Sequence, residues 1–199
     1  PPGLGVGRSH PDPDLVTRMR TMRLHGISRD VFNRYTSTAP SWHYEVVAPG
    51  FKYNLTDVAA SMARVQLGRA LAMRERRTAI AAHYDEHLAG LPVRLPSRPV
   101  DSGTEHAWHL YVLRLTDDAP MGRDEFIQRM SDAGVGCSVH FIPLHRHPYW
   151  RDLRGPQAPA LPVADAQFER AVSIPIFSSM TDAQVARVAQ AVRTVLGGD

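Results

Sequence analysis

Apolar residues recur at three- and four-residue spacing through Val58, Met62 and Val65, and again through Ile80, Tyr84 and Leu88. This pattern predicts one long helix from Thr56, or two helices interrupted near Gly68. Thr56 is placed to cap it, and Asp57 to sit at its positive end. Upstream, Leu15, Val16, Met19, Met22 and Leu24 predict a short helix, with Asp14 as its cap and Gly26 as its stop. Downstream, aromatic and branched runs at 106–115, 135–142 and 171–177 predict strands. Helices are predicted at 123–133, with Phe126, Ile127 and Met130 inward, and at 162–170. A last helix, capped by Thr181, carries Val185, Val188, Val192 and Val195 on one face. Alternating strands and helices imply an α/β layered domain, a small sheet with helices against it.

The segments between these elements are rich in proline and polar residues. Residues 1–14, PPGLGVGRSHPDPD, read as an irregular arm. Its GLGVG is not a phosphate loop by pattern, because no strand precedes it and Pro11 and Pro13 break the residues after it. A long connection, 27–49, carries Trp42, His43 and Tyr44, and connections of that length are usually functional or disordered. The stretch 143–154, LHRHPYWRDL with its flanking residues, reads as a histidine-rich loop.

With 199 residues, 43% of them hydrophobic, the chain has enough apolar surface for a sizeable core. Its net charge of +3 is spread over 22 arginines and one lysine without a block of like charge, which argues against nucleic acid as a partner. The lone Cys137 excludes an internal disulfide and fits a reducing cytosol. No apolar run reaches the roughly 18 residues of a membrane span, and no signal pattern opens the chain. A cytoplasmic protein with no membrane partner is therefore expected.

Two stretches carry candidate chemistry. Ahead of the long helix, Phe51, Lys52, Tyr53 and Asn54 place aromatic, cationic and amide groups on a loop held by a rigid element. Asn54 suits either a turn or donation to a phosphate at the helix start. Farther on, His140, His145 and His147 crowd one predicted strand end. They could ligate zinc, but the spacing matches no established metal signature, so no metal site is assigned. Loop histidines bonded to backbone are one alternative, and His140 and His145 as donors to a polar ligand are another. Cys137 and His140 stand three apart on a predicted strand, which puts them on opposite faces and argues against a nucleophile–base pair. Trp108 reads as a core residue.

Taken together, MRLHGISRD, APGFKYNLTDVAASMARVQL, HAWHLYVLRL, GVGCSVHFIPLHRHPYW, SIPIF and TDAQVARVAQAV, in that order, resemble the pyridoxal-phosphate-dependent sugar aminotransferases of the DegT/DnrJ/EryC1/StrS group. The resemblance implies the C-terminal part of an aspartate-aminotransferase-like protein (PLP fold type I), with a small mixed or antiparallel sheet packed with helices and joined to a long helix. On that basis 1–14 is an arm, 15–55 a remnant of the large cofactor-binding domain with its connecting loop, and 56–199 the long helix plus a small C-terminal α/β domain. It also implies a homodimer with active sites between subunits, and transfer of an amino group from a donor such as glutamate onto a keto-sugar nucleotide. Asn54 would reach the pyridoxal 5'-phosphate phosphate of the partner subunit, with Lys52 and Tyr53 beside it. His140, His145 and Phe141 would lie near the sugar nucleotide. In the family the Schiff-base lysine precedes the matched stretches, and the only lysine here, Lys52, matches a loop position. No catalytic residue is therefore assigned, and the chain alone is expected to be catalytically incomplete. The alternative is a non-catalytic dimerisation or binding module derived from that family. Upstream sheet strands missing from the chain would leave apolar surface exposed.

Overall fold

The computed structural model describes residues 12–27, 44–98 and 103–197. Most of the predicted arm, its GLGVG, and Trp42 and His43 of the connection lie outside the described residues. The chain forms two compact units, Pro1–Ala70 and Leu71–Asp199, and the boundary falls inside one helix.

In the first unit, α1 spans Pro13–Met22. Its cap is Asp12, not the expected Asp14: the Asp12 carboxylate accepts from the Asp14 amide at 2.9 Å and the Leu15 amide at 3.3 Å. Pro13 explains the shift, because its fixed φ and missing N–H suit the first helical position and place the cap at the residue before it. After α1 the chain reverses through His25 and Gly26, both in the left-handed region (φ 57° and 69°). Residues 46–53 then return antiparallel to the turn, bridging Leu24 to Lys52 and Ile27 to Val46.

Helix α2, Asp57–His87, is a single helix of 31 residues, uninterrupted at Gly68. Thr56 caps it as expected, its hydroxyl accepting from the Ala59 amide at 3.3 Å. The apolar spacing divides in its consequences. Ile80, Ala81, Tyr84 and the following Leu88 are buried, whereas Val58, Met62, Val65 and Leu67 are exposed.

The second unit has a three-stranded antiparallel sheet ordered β1-β2-β3, with β1 Val93–Arg94, β2 Tyr111–Leu115 and β3 Ala171–Ile174. Tyr111 pairs with Ile174, and Val93 with Leu115. Helices α3 (Arg123–Asp132), α4 (Pro148–Arg154), α5 (Pro162–Arg170) and α6 (Asp182–Val195) complete it. Burial alternates along β2, so Tyr111, Leu113 and Leu115 enter a core shared with Trp108, Phe126, Met130, Val172, Val188 and Val192. Helix α6 opens on a capping box in which Thr181 and Gln184 satisfy each other's amides.

Several expectations fail here, the strand expected over 171–177 among them, since β3 ends at Ile174 ahead of Pro175. The strand at 106–115 begins only at Tyr111, because Trp108 sits at φ 48° and its amide is taken by His106 Nδ1 at 2.8 Å. Trp108 is nevertheless core, as expected, at 1% exposure. The strand at 135–142 does not form. Its one rung is Ser138 to Ser173, with N–H···O distances of 3.0 and 2.7 Å. Gly134 (φ 73°) starts the segment in a conformation no strand continues, and Pro143 offers no amide to a further rung. The histidine-rich loop is instead a 3-10 turn, Leu144–Arg146, followed by α4, which starts at Pro148.

The buried tyrosines give the fold an alkaline limit. Tyr84 donates to the Pro175 carbonyl at 2.8 Å and Tyr111 to the Asp85 carboxylate at 2.6 Å. Burial, and for Tyr111 secondarily the Asp85 bond, pushes both phenols above their ordinary value. The folded state therefore favours the neutral phenol. Stability is unaffected below about pH 10 and falls above it, where the unfolded chain's tyrosines ionise first. The urea midpoint is expected to drop between pH 8.5 and pH 11, and to drop less in Tyr84→Phe.

Candidate functional site

The loop ahead of α2 is fixed by its backbone. Phe51 N donates to Met22 O at 2.7 Å, Tyr53 N to Arg23 O at 2.8 Å, and His25 N to Phe51 O at 2.8 Å. Alternate residues are thereby tied to the end of α1, and the Phe51 and Tyr53 rings stack at 4.9 Å, 5° from parallel. Lys52, Tyr53 and Asn54 are all exposed, two to four residues before the Thr56 cap. Lys52, Tyr53 and Asn54 carry an ammonium, a phenol and an amide close to the positive end of a 31-residue helix.

In the second unit both candidate histidines are held by the continuous segment α5–β3. His140 Nδ1 meets Ser173 Oγ at 2.9 Å, and Ser173 is the one buried polar residue among those described. His145 Nε2 meets Asp165 Oδ1 at 2.9 Å. Arg146 Nε donates to the same oxygen at 2.5 Å, and its other arm reaches Glu169 at 2.7 Å. Arg146, and after it His145, hold the Asp165 carboxyl below the usual carboxylate range. Asp165 is thus an anion at neutral pH, and His145 Nε2 must carry the proton it donates. The guanidiniums of Arg123 and Arg146 each stand 4.8 Å from the Phe168 ring centre. His147 stands apart, ahead of α4.

Around these histidines the surface is apolar. Phe141 is 77% exposed, and Ile142, Leu144, Tyr149, Trp150 and Leu153 are exposed with it. Cys137 takes no part: burial pushes its thiol up to about 11, so it stays protonated, and it contacts the Val135 carbonyl at 3.9 Å. No three His, Cys, Asp or Glu side chains converge on a metal-sized site among the described residues. No helix among them is long and apolar enough to cross a membrane.

Sequence reasoning missed Ser173, Asp165 and Arg146, the residues that orient the two histidines. A serine inside an apolar strand, SIPIF with its preceding AV, was the available signal for the first. Nothing local marks Asp165 as a partner of a residue 20 positions away.

The model of the DegT/DnrJ/EryC1/StrS aminotransferase family matches residues 9–193, the loop and both histidines included. The chain belongs to that family. It is 39% identical over 189 residues to the spore coat polysaccharide biosynthesis protein SpsC of Bacillus subtilis, covering 94% of this chain and 48% of that protein. Spr1654 of Streptococcus pneumoniae in its PMP-form superposes with a TM-score of 0.80 at 28% identity, over 96% of this chain and 47% of the other. The sugar aminotransferase CalS13 of Micromonospora echinospora gives 0.74 at 28%, over 92% and 46%. The chain spans about half the length of the relatives it matches, and its fold is that of the corresponding part of a PLP fold type I protein.

Proposed function

We propose that these residues form the outer wall of the active site of a pyridoxal-phosphate-dependent aminotransferase that acts on a keto-sugar nucleotide, with glutamate or a similar amino donor. The observation that carries this reading is family membership over nearly the whole chain, loop and histidines included. Asn54, with Lys52 and Tyr53, would hold the cofactor phosphate, for which an amide and an ammonium at a helix start are apt donors. When bound, the cofactor supplies the electron sink for moving an amino group. His140 and His145, oriented by Ser173 and Asp165, offer imidazole atoms to hydroxyls or phosphate of the sugar nucleotide, and Phe141 an apolar face. We assign covalent attachment of the cofactor to a lysine outside these residues, because Lys52 is an exposed loop residue in the phosphate-binding set.

A cytosolic homodimer is part of the same reading. Val58, Met62 and Val65, on one side of the first half of α2, are 63–72% exposed, an apolar surface that a partner subunit would cover. That exposure also favours the second reading, a dimerisation module without chemistry of its own.

The test combines the chain with pyridoxal phosphate, glutamate and a keto-sugar nucleotide, alone and with a complete homologue. Alone, no amino sugar is expected by mass spectrometry, and borohydride should leave Lys52 unmodified. With the homologue, mixed dimers should form, and Asn54→Ala in the chain should weaken cofactor binding about tenfold. Turnover by the isolated chain with the cofactor reduced onto Lys52 would reject the assignment. Mixed dimers whose cofactor affinity ignores Asn54 would leave the module reading.

A further inference from the structure

The face of the sheet turned away from the core carries an arrangement that neither the fold nor the proposed activity requires. The β1–β2 register sets Arg94 directly across from Arg114. Directly paired residues share a face, and like charges so placed repel. Arg114 in turn pairs with Ala171 on β3, and Arg170, the last residue of α5 just before it, lines the same concavity. These three guanidiniums line a pocket of about 210 Å³ together with Thr116, Asp117 and Gln167.

The pocket's own charge balance is incomplete. Its one carboxylate, Asp117, is bonded to Arg170 at 2.5 Å and is largely exposed. Arg114 Nη1 donates to Gln167 Oε1 at 3.2 Å, which adds no charge. Arg94 makes no ion pair among the described residues. Three cations against one anion leave a surplus of two positive charges in a small concavity. Thr116 also lines the pocket.

We propose that this pocket binds a phosphate-class oxyanion. Arg94 and the spare N–H groups of Arg114 and Arg170 are donors only, which suits a ligand that accepts. The surplus charge matches a dianion, and guanidiniums arriving from β1, β2 and the end of α5 suit a tetrahedral group better than a flat carboxylate. The volume is below the roughly 300–1,000 Å³ of sites for drug-sized molecules, which fits an inorganic phosphate or the phosphate end of a larger molecule held outside.

The experiment titrates the 199-residue chain with inorganic phosphate by calorimetry, ionic strength held constant with sodium chloride so that screening cannot imitate binding. AMP in a parallel arm separates a free ion from a phosphate end. Saturable binding is expected, weakened about tenfold or more in Arg94→Gln and in Arg114→Gln. It should be unchanged in Arg129→Gln, which removes the same charge from the surface of α3. Without phosphate, Arg94→Gln should melt no lower than the parent chain, since it relieves the cross-strand repulsion. No saturable heat with either probe up to about 10 mM, or undiminished binding in both pocket variants, overturns the proposal.

Discussion

Trp108→Ala is expected to cost about 3–5 kcal/mol of folding stability. The ring is 1% exposed and packs on Tyr111 at 5.9 Å and on His106 at 4.1 Å, with the Arg98 guanidinium 4.7 Å above it. A buried aromatic removes about 150–250 Å² from water, worth roughly 4–6 kcal/mol by area, so loss of the ring dominates over the single cation–π contact of about 0.5–1 kcal/mol. The backbone adds nothing to the difference, because alanine inherits the same φ of 48° that tryptophan already tolerates. Against a total of about 5–15 kcal/mol, the variant should be near or past the point of unfolding. The urea midpoint should fall by at least about 1 M. Trp108→Phe should recover more than half of that loss, and a midpoint for the alanine variant within about 0.3 M of the parent would show that the ring is not a core residue.

Trp108 also shows what the amino-acid pattern can and cannot express. Hydrophobicity places it in the core, but the strand expected around it is too long, because a left-handed residue interrupts the aromatic and branched run. The predicted strand at 135–142 fails for a related reason. Alternation describes one segment, whereas a strand requires a partner along its length, and Ser173 offers Ser138 a single rung. Helix ends are legible where the signal is chemical and local. Thr181 with Gln184 is a capping box, and Pro162 at the first position marks the start of α5. The same proline signal stands at Pro13 and Pro148, where α1 and α4 begin, but there the surrounding polar and proline-rich residues read as arm and loop.

The candidate site divides along the same line. Asn54, Lys52, His140 and His145 can be named from short stretches and a family resemblance. The residues that hold the histidines cannot, since Asp165 and Ser173 reach them only after α5 and β3 have folded back. Each histidine is oriented by a side chain on a regular element, Ser173 on β3 and Asp165 on α5, which fixes the imidazole's geometry. Arg146 ties the turn to Asp165 and Glu169 while its guanidinium lies over Phe168, so the turn that leads into α4 is pinned as well.

Gly26→Ala should dismantle the loop that presents Lys52, Tyr53 and Asn54. At φ 69° an alanine is strained by about 1–2 kcal/mol, and that is the smaller part. A Cβ at this position would stand 1.8 Å from the Ala48 carbonyl oxygen and 2.7 Å from its carbon, backbone atoms that no rotamer can move. Gly50 faces the same contact from the other side, where a Cβ would lie 2.0 Å from the Gly26 amide nitrogen. Two strands of backbone meet here without side chains between them, and separating them breaks the 2.8 Å bonds from Val47 to Gly26 and from His25 to Phe51. Gly90→Ala provides the control, since its φ of 81° imposes similar strain while nothing lies within 4 Å of the added carbon. Hydrogen exchange at the amides of His25, Phe51 and Tyr53 should accelerate by at least about a hundredfold in Gly26→Ala, the equivalent of roughly 2.7 kcal/mol, and should be unaltered in Gly90→Ala. If the two variants protect those amides equally, the close approach of the two backbones is not what holds the loop.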